Sequence, residues 1–146
     1  MEKNAKQPFL VYLPYAMPHL PVFASEQFRG KSLRGPYGDA VQEIDWSVGR
    51  IRATLEKLGI ANDTLVFFSS DNGPWQEVST FGAGSAGVLR GSKGTTWEGG
   101  VRVPGIFWWP GKVNGGDINT NVVCIEESLQ TVDGGYGAAK PIFKLG

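Results

Sequence analysis

The chain has very little cysteine and very little histidine. Its single cysteine, Cys124, excludes an internal disulfide framework and a zinc site built from several cysteines. Its single histidine, His19, gives no support to a catalytic triad or to a centre that needs several imidazoles. No apolar run approaches the roughly 20 residues of a membrane span. Neither sign of charge is in excess, with 14 basic residues facing 14 acidic ones. Composition therefore points to neither nucleic acid nor a charge-driven partner. The opening "MEKNAKQPFLVYLPYAMP" is a poor secretion signal, because its apolar part is short, broken by proline and lacks a small-residue cleavage site. The chain reads as though it opened inside a domain, and its localisation stays open.

What is present is globular in character. The 146 residues are 41% hydrophobic and 19% charged, enough for one domain with a real core. With 21 glycines and 9 prolines, much of the chain must be loop, and long ordered loops often carry sites. Phe9–Leu13 is a short apolar run that predicts a buried strand. "YAMPHLPVFAS" follows as a proline-broken loop around His19. Tyr37, Val41, Ile44, Val48, Ile51, Leu55 and Leu58 recur at alternating spacings of four and three. That spacing predicts a helix over 37–58 with one apolar face, closed by Gly59. Leu65–Ser69 and Val103–Trp109 predict two more strands, and Val122–Ile125 a weaker one. Strand, loop, long helix and strand make an α/β unit with a mainly parallel sheet. In such sheets ligands sit beyond the carboxyl ends of the strands. His19 and Asp71 each follow a predicted strand and could therefore lie on one edge.

Three places could carry chemistry. Asp71-Asn72, in "VFFSSDNGP", offers two hard oxygen donors suited to calcium or magnesium, and it also reads as an ordinary Asn-Gly turn. His19, held between prolines, could bind an anion or protonate a leaving group, or be a plain loop histidine. Lys93, in "RGSKGTTWEGG", lies among glycines that let a backbone come close to a ligand. That resembles an anion site but not a P-loop, and it also reads as a flexible loop with a solvated lysine. Asn62-Asp63-Thr64 fits a glycosylation triplet as well as a turn. Both readings stand at each of these places.

"PHLPVFAS", "RGPYGDAVQEIDWSVGRI", "DTLVFFSSDNGP" and "LRGSKGTTWEGGVRVPGIFWWPGKV" occur in the order and spacing found in sulfatases. The resemblance is to the branch of arylsulfatase A and N-acetylgalactosamine-6-sulfatase, over about residues 8–113. It implies an alkaline-phosphatase-like three-layer α/β/α sandwich, here partial. It implies hydrolysis of sulfate esters by a formylglycine nucleophile with one divalent metal, calcium (Ca2+) ahead of magnesium (Mg2+). It further implies that Asp71 and Asn72 are metal ligands, that His19 contacts the ester near the leaving oxygen, and that Lys93 binds a sulfate oxygen. Family members are lysosomal, secreted or periplasmic.

The chain also departs from the family. It has no C-x-P-S-R motif or serine equivalent from which formylglycine is made, and Cys124 sits in "CIEES". The early Asp-Asp pair that completes the family's metal site is missing too. The expectation is a partial catalytic domain over 1–113 and a divergent or truncated segment over 114–146. Its ligand would be a sulfate-ester small molecule or a sulfated glycan, with little turnover from this chain alone. A non-catalytic fragment that binds sulfated glycans or a protein partner is the alternative. A zinc phosphodiesterase of the same superfamily is disfavoured by the single histidine. Sheet edges and apolar helix faces left uncovered would make such a chain poorly soluble or dependent on a partner.

Overall fold

The four-three apolar spacing folds as α1, Gly35–Lys57, in a computed structural model that describes residues 1–76 and 84–121. Gly59 closes it, as its position after the last apolar turn predicts. With φ at 69°, Gly59 donates its N–H to Glu56 (3.0 Å), and Ile60 donates to Leu55 (3.1 Å). This is the two-bond C-terminal cap that a left-handed glycine permits. Leu55 and Ile60, which flank it, are both buried.

Asn62-Asp63-Thr64 then forms the turn that its composition suggests. Ala61–Asp63 is a single 3-10 turn, and the buried Thr64 hydroxyl donates to the Ile60 carbonyl at 2.8 Å. The indole N–H of Trp109 donates to the carbonyl of Asn62 at 2.8 Å.

Two of the predicted strands form, each somewhat shorter than its apolar run. β1 is Val66–Ser69 and β2 is Gly105–Trp108, and they pair in a two-stranded sheet. The rings of Phe67 and Phe107 meet across it with centroids 4.6 Å apart. A short helix, α2, Glu98–Val101, precedes β2. The expected strand over Phe9–Leu13 does not form. That segment has no regular structure, and Tyr12 is 81% exposed beside the half-exposed Leu10 and Leu13. An apolar run becomes a buried strand only when a neighbour takes its backbone hydrogen bonds and a layer covers its faces. Neither exists for it among the described residues. The expected strand over Val122–Ile125, with Cys124, lies outside the described residues.

The chain divides into two compact units, and α1 runs from the second into the first. The first comprises Met1–Tyr12, Arg52–Phe68 and the described residues from Ile106, with Leu55, Ile60 and Leu65 buried. The second comprises Leu13–Ile51 and Ser69–Gly105 and contains all four residues singled out as site candidates. There the Phe28 ring packs on Trp46 with centroids 5.7 Å apart. Glu43 accepts from the Ser25 N–H at 2.8 Å, and the hydroxyls of Tyr15 and Ser47 are 2.9 Å apart.

Asp39 fixes the approach to α1. It is only 3% exposed, and its carboxylate accepts three backbone N–H groups. These come from Gly30 (2.7 Å), Lys31 (3.1 Å) and Ser32 (2.7 Å). The Ser32 N–H, then that of Gly30, holds the carboxyl below the usual range against the opposing effect of burial. Gly38 makes room for this loop, because a Cβ there would run into the Ser32 side chain.

The Asp71-Asn72 corner rests on a similar close approach. Gly73 donates to the Gly100 carbonyl (2.9 Å), and Lys93 donates to the Pro74 carbonyl (2.9 Å). A Cβ on Gly73 would run into the carbonyl oxygen of Gly99.

Three outcomes are expected. Asp39→Asn replaces an acceptor-only group with one that also presents donors to three N–H groups. It should lower the thermal midpoint at neutral pH. A carboxyl whose folded pKa is depressed stabilises above its unfolded pKa, and that stability is lost as pH falls through the folded value. The gap between the wild type and Asp39→Asn should therefore close in acid, as melts at pH 7 and pH 3 would show. Gly73→Ala should destabilise by about 1–3 kcal/mol in denaturant unfolding, as overpacking does. Gly49→Ala, in mid-α1 with open space around its Cβ position, should instead stabilise by about 0.5–1 kcal/mol.

Candidate functional site

The Asp71-Asn72 pair sits directly after β1 and is shaped by its own side chains. Asn72 Nδ2 donates to Asp71 Oδ1 at 3.1 Å and to the Gly73 carbonyl at 3.3 Å. Both acceptors lack a proton to give, so the amide nitrogen must face them. Asn72 Oδ1 and Asp71 Oδ2 are left without hydrogen bonds among the described residues. The Ser70 hydroxyl donates to the Asn72 carbonyl at 2.9 Å. The Ser69 hydroxyl donates to the Pro104 carbonyl at 3.1 Å and tethers the base of the corner. Two uncommitted oxygens of hard-donor type fit a calcium or magnesium ion as part of its shell. Among the described residues no cluster of three His, Cys, Asp or Glu side chains completes such a shell.

Lys93 is half-buried in a turn whose chemistry is visible in its sequence. Thr95 N–H donates to the Ser92 carbonyl at 3.0 Å, and the Thr95 hydroxyl donates to the same carbonyl at 2.8 Å. Gly94 takes φ at 90°, as glycine does at the third position of a tight turn. The other glycines of this loop allow close packing within the protein. Gly99 and Gly100 bring the backbone close to itself, and Gly91 brings it against the Thr95 and Trp97 side chains. A Cβ on Gly99 would strike the Gly91 and Arg90 carbonyls, and one on Gly100 the Thr95 and Ser92 carbonyls. The Gly99 N–H donates to the Arg90 carbonyl at 2.7 Å.

The Lys93 turn and the Asp71-Asn72 corner are thus brought together. Two backbone bonds, Gly73 to Gly100 and Lys93 to Pro74, close them onto one another. His19 lies in the same unit, but no hydrogen bond joins it to Asp71, Asn72 or Lys93. Its exposed ring has Nδ1 2.8 Å from the Leu20 carbonyl. A carbonyl can only accept, so Nδ1 carries the proton. Nε2 is the nitrogen left for chemistry, and it can donate only from the doubly protonated ring.

Asp39 was missed as a positioning residue. A lone Asp within "PYGDAV" looks like any helix-surface acid, and only the return of residues 30–32 shows its role. The stacked pair of Arg90 and Trp97 gave no periodic signal either. The Arg90 guanidinium lies 3.7 Å from the Trp97 ring centroid.

The Sulfatase family model matches residues 1–126. Human steryl-sulfatase is 48% identical over 120 residues, which are 80% of this chain and 21% of that protein. Rat N-acetylgalactosamine-6-sulfatase is 46% identical over 130 residues, 88% of this chain and 25% of that protein. The crystal structure of the sulfatase PsFucS1 from Pseudoalteromonas sp. superposes with a TM-score of 0.58 at 41% identity. It covers 64% of this chain and 18% of the other. The chain therefore spans about a fifth to a quarter of the length of these relatives. With a family model over most of its length and relatives near half identity, the chain belongs to the sulfatase family.

Proposed function

We propose that these residues form one side of a sulfate-ester hydrolysis site, within residues 1–113 as part of an alkaline-phosphatase-like three-layer α/β/α catalytic domain. The observation that supports this most is the pair of backbone bonds that ties the Asp71-Asn72 corner to the Lys93 turn. It ties the backbone that carries two oxygen donors to the backbone that carries a cation, and such a pairing suits an anionic group whose charge must be offset. The relatives act on steryl sulfates and on N-acetylgalactosamine-6-sulfate by name. Sulfated sugars or aryl sulfates are the substrate class we assign here.

In this reading Asp71 and Asn72 would hold a divalent cation, calcium first, with Asn72 Oδ1 and Asp71 Oδ2 as the oxygens left uncommitted. A bound calcium would supply charge stabilisation to the sulfuryl group. Lys93 donates to a sulfate oxygen and offsets charge that grows on it in the transition state. The Leu20 carbonyl orients the His19 ring through Nδ1. From its imidazolium form, His19 Nε2–H donates to the bridging oxygen and gives up that proton as the alcohol leaves. The nucleophile is a formylglycine in the family, and this chain has no motif from which one is made. Calcium takes roughly six to eight oxygen ligands, of which these two residues supply a minority. The 146-residue chain by itself is therefore expected to bind sulfate weakly and to turn nothing over.

With 4-nitrophenyl sulfate and calcium, the purified chain should release no nitrophenol above background, and robust metal-dependent release would refute the partial-site reading. In any longer protein that carries these residues with a formylglycine motif, Lys93→Ala should lower kcat by about 100- to 1,000-fold, the usual cost of one transition-state donor. An unchanged kcat there would remove Lys93 from the site.

A further inference from the structure

Beyond the hydrolysed ester, the loop that carries Lys93 holds a second cation in a defined pose. Residues 84–105 contain three basic side chains, Arg90, Lys93 and Arg102, against one acid, Glu98. Glu98 is committed to Arg102, with Oε2 2.9 Å from a guanidinium nitrogen. The surplus positive charge of the segment therefore rests on Arg90 and Lys93, and neither forms an ion pair among the described residues. The Arg90 guanidinium is stacked 3.7 Å from the centroid of the Trp97 ring, and Trp97 is 49% exposed. Gly91 lets the backbone pass against that indole, since a Cβ there would lie 2.7 Å from Trp97 Cβ. The Arg90 carbonyl is pinned by the Gly99 N–H at 2.7 Å and the Lys93 N–H is pinned to Pro74 at 2.9 Å. The backbone origins of both cations are fixed within the same stitched loop.

A guanidinium stacked on an aromatic face leaves its N–H edge directed away from the ring. That edge presents a planar donor fork suited to carboxylate or sulfate. The stack also removes side-chain freedom that would otherwise be lost on binding. We propose that Arg90, held flat by Trp97, is a specificity-determining residue for a second anionic group, so that the site selects substrates carrying two negative groups, such as a disulfated or sulfated-uronate sugar, over monoanionic esters. This rests on the reading of Lys93 as the contact to the first sulfate.

The test is a binding comparison on the whole chain, in calcium at low salt, by NMR or calorimetric titration. N-acetylgalactosamine 4,6-disulfate and N-acetylgalactosamine 6-sulfate are the two probes. The wild type should bind the disulfate about tenfold tighter, the scale of one charge-assisted fork. Arg90→Gln should erase that preference and leave monosulfate affinity unchanged. Arg90→Lys, which keeps the charge and the stem but not the fork, should retain part of it and covers the case in which Arg90→Gln fails to fold. Trp97→Leu should reduce the preference in the same direction, because it frees the guanidinium. Equal affinities for the two probes in a wild type that binds both through Lys93 overturn the Arg90 proposal alone. So does a preference that survives both Arg90 variants. Binding of neither probe, or monosulfate binding that Lys93→Ala leaves untouched, overturns the Lys93 reading and this proposal with it.

Discussion

The Gly73 N–H reaches the Gly100 carbonyl at 2.9 Å only because neither residue, nor Gly99 between them in the packing, carries a side chain. A Cβ at any of these three positions would strike a backbone carbonyl. Protein backbones come this close only where glycine allows it. The consequence reaches well past one hydrogen bond. It fixes the turn after β1 against the loop before β2, and so relates the Asp71-Asn72 oxygens to the Lys93 turn. The Lys93-to-Pro74 bond adds a second point of attachment, and two points prevent the loops from pivoting about one.

Charge is arranged around this frame with some economy. Asp39 is used entirely by backbone N–H groups, and Glu98 is turned to Arg102. Asp71 retains one free carboxylate oxygen, while Arg90 and Lys93 stay without carboxylate partners among the described residues. In the proposed site, the groups that would meet an anionic ligand and a hard cation are those that the fold leaves without a charged partner among the described residues. Such groups cost solvation when a site closes over them, which is why they are found where binding repays it.

Much of this was legible in the sequence, for physical reasons that differ by element. The four-three spacing of Tyr37 to Leu58 specifies α1 because its period matches a helix and Gly59 ends it. β1 and β2 followed from short apolar runs between turn residues. Phe9–Leu13 failed as a strand because a run of residues states only that a segment is apolar, not that a neighbour exists to pair with it. The motif glycines were visible, but not the parts of the chain that they pack against. Composition shows that a backbone can come close, and only the fold shows that it comes close to itself. Asp39 and the Arg90–Trp97 stack were illegible for a related reason. Their partners are ten or fewer residues away in sequence, yet they depend on loop geometry that has no periodic signature.

In the proposed site the Asp71-Asn72 corner and the Lys93 turn form one cation-and-anion corner. Its most direct test is NMR line broadening by a dilute paramagnetic cation with hard-donor preference, manganese(II), which reports weak binding by proximity. Broadening should start at Asp71 and Asn72 and spread to Gly73, Lys93 and Gly100 at the lowest metal concentrations, with displacement by calcium. Broadening centred on other acids, with Asp71 and Lys93 sharp throughout, would contradict it.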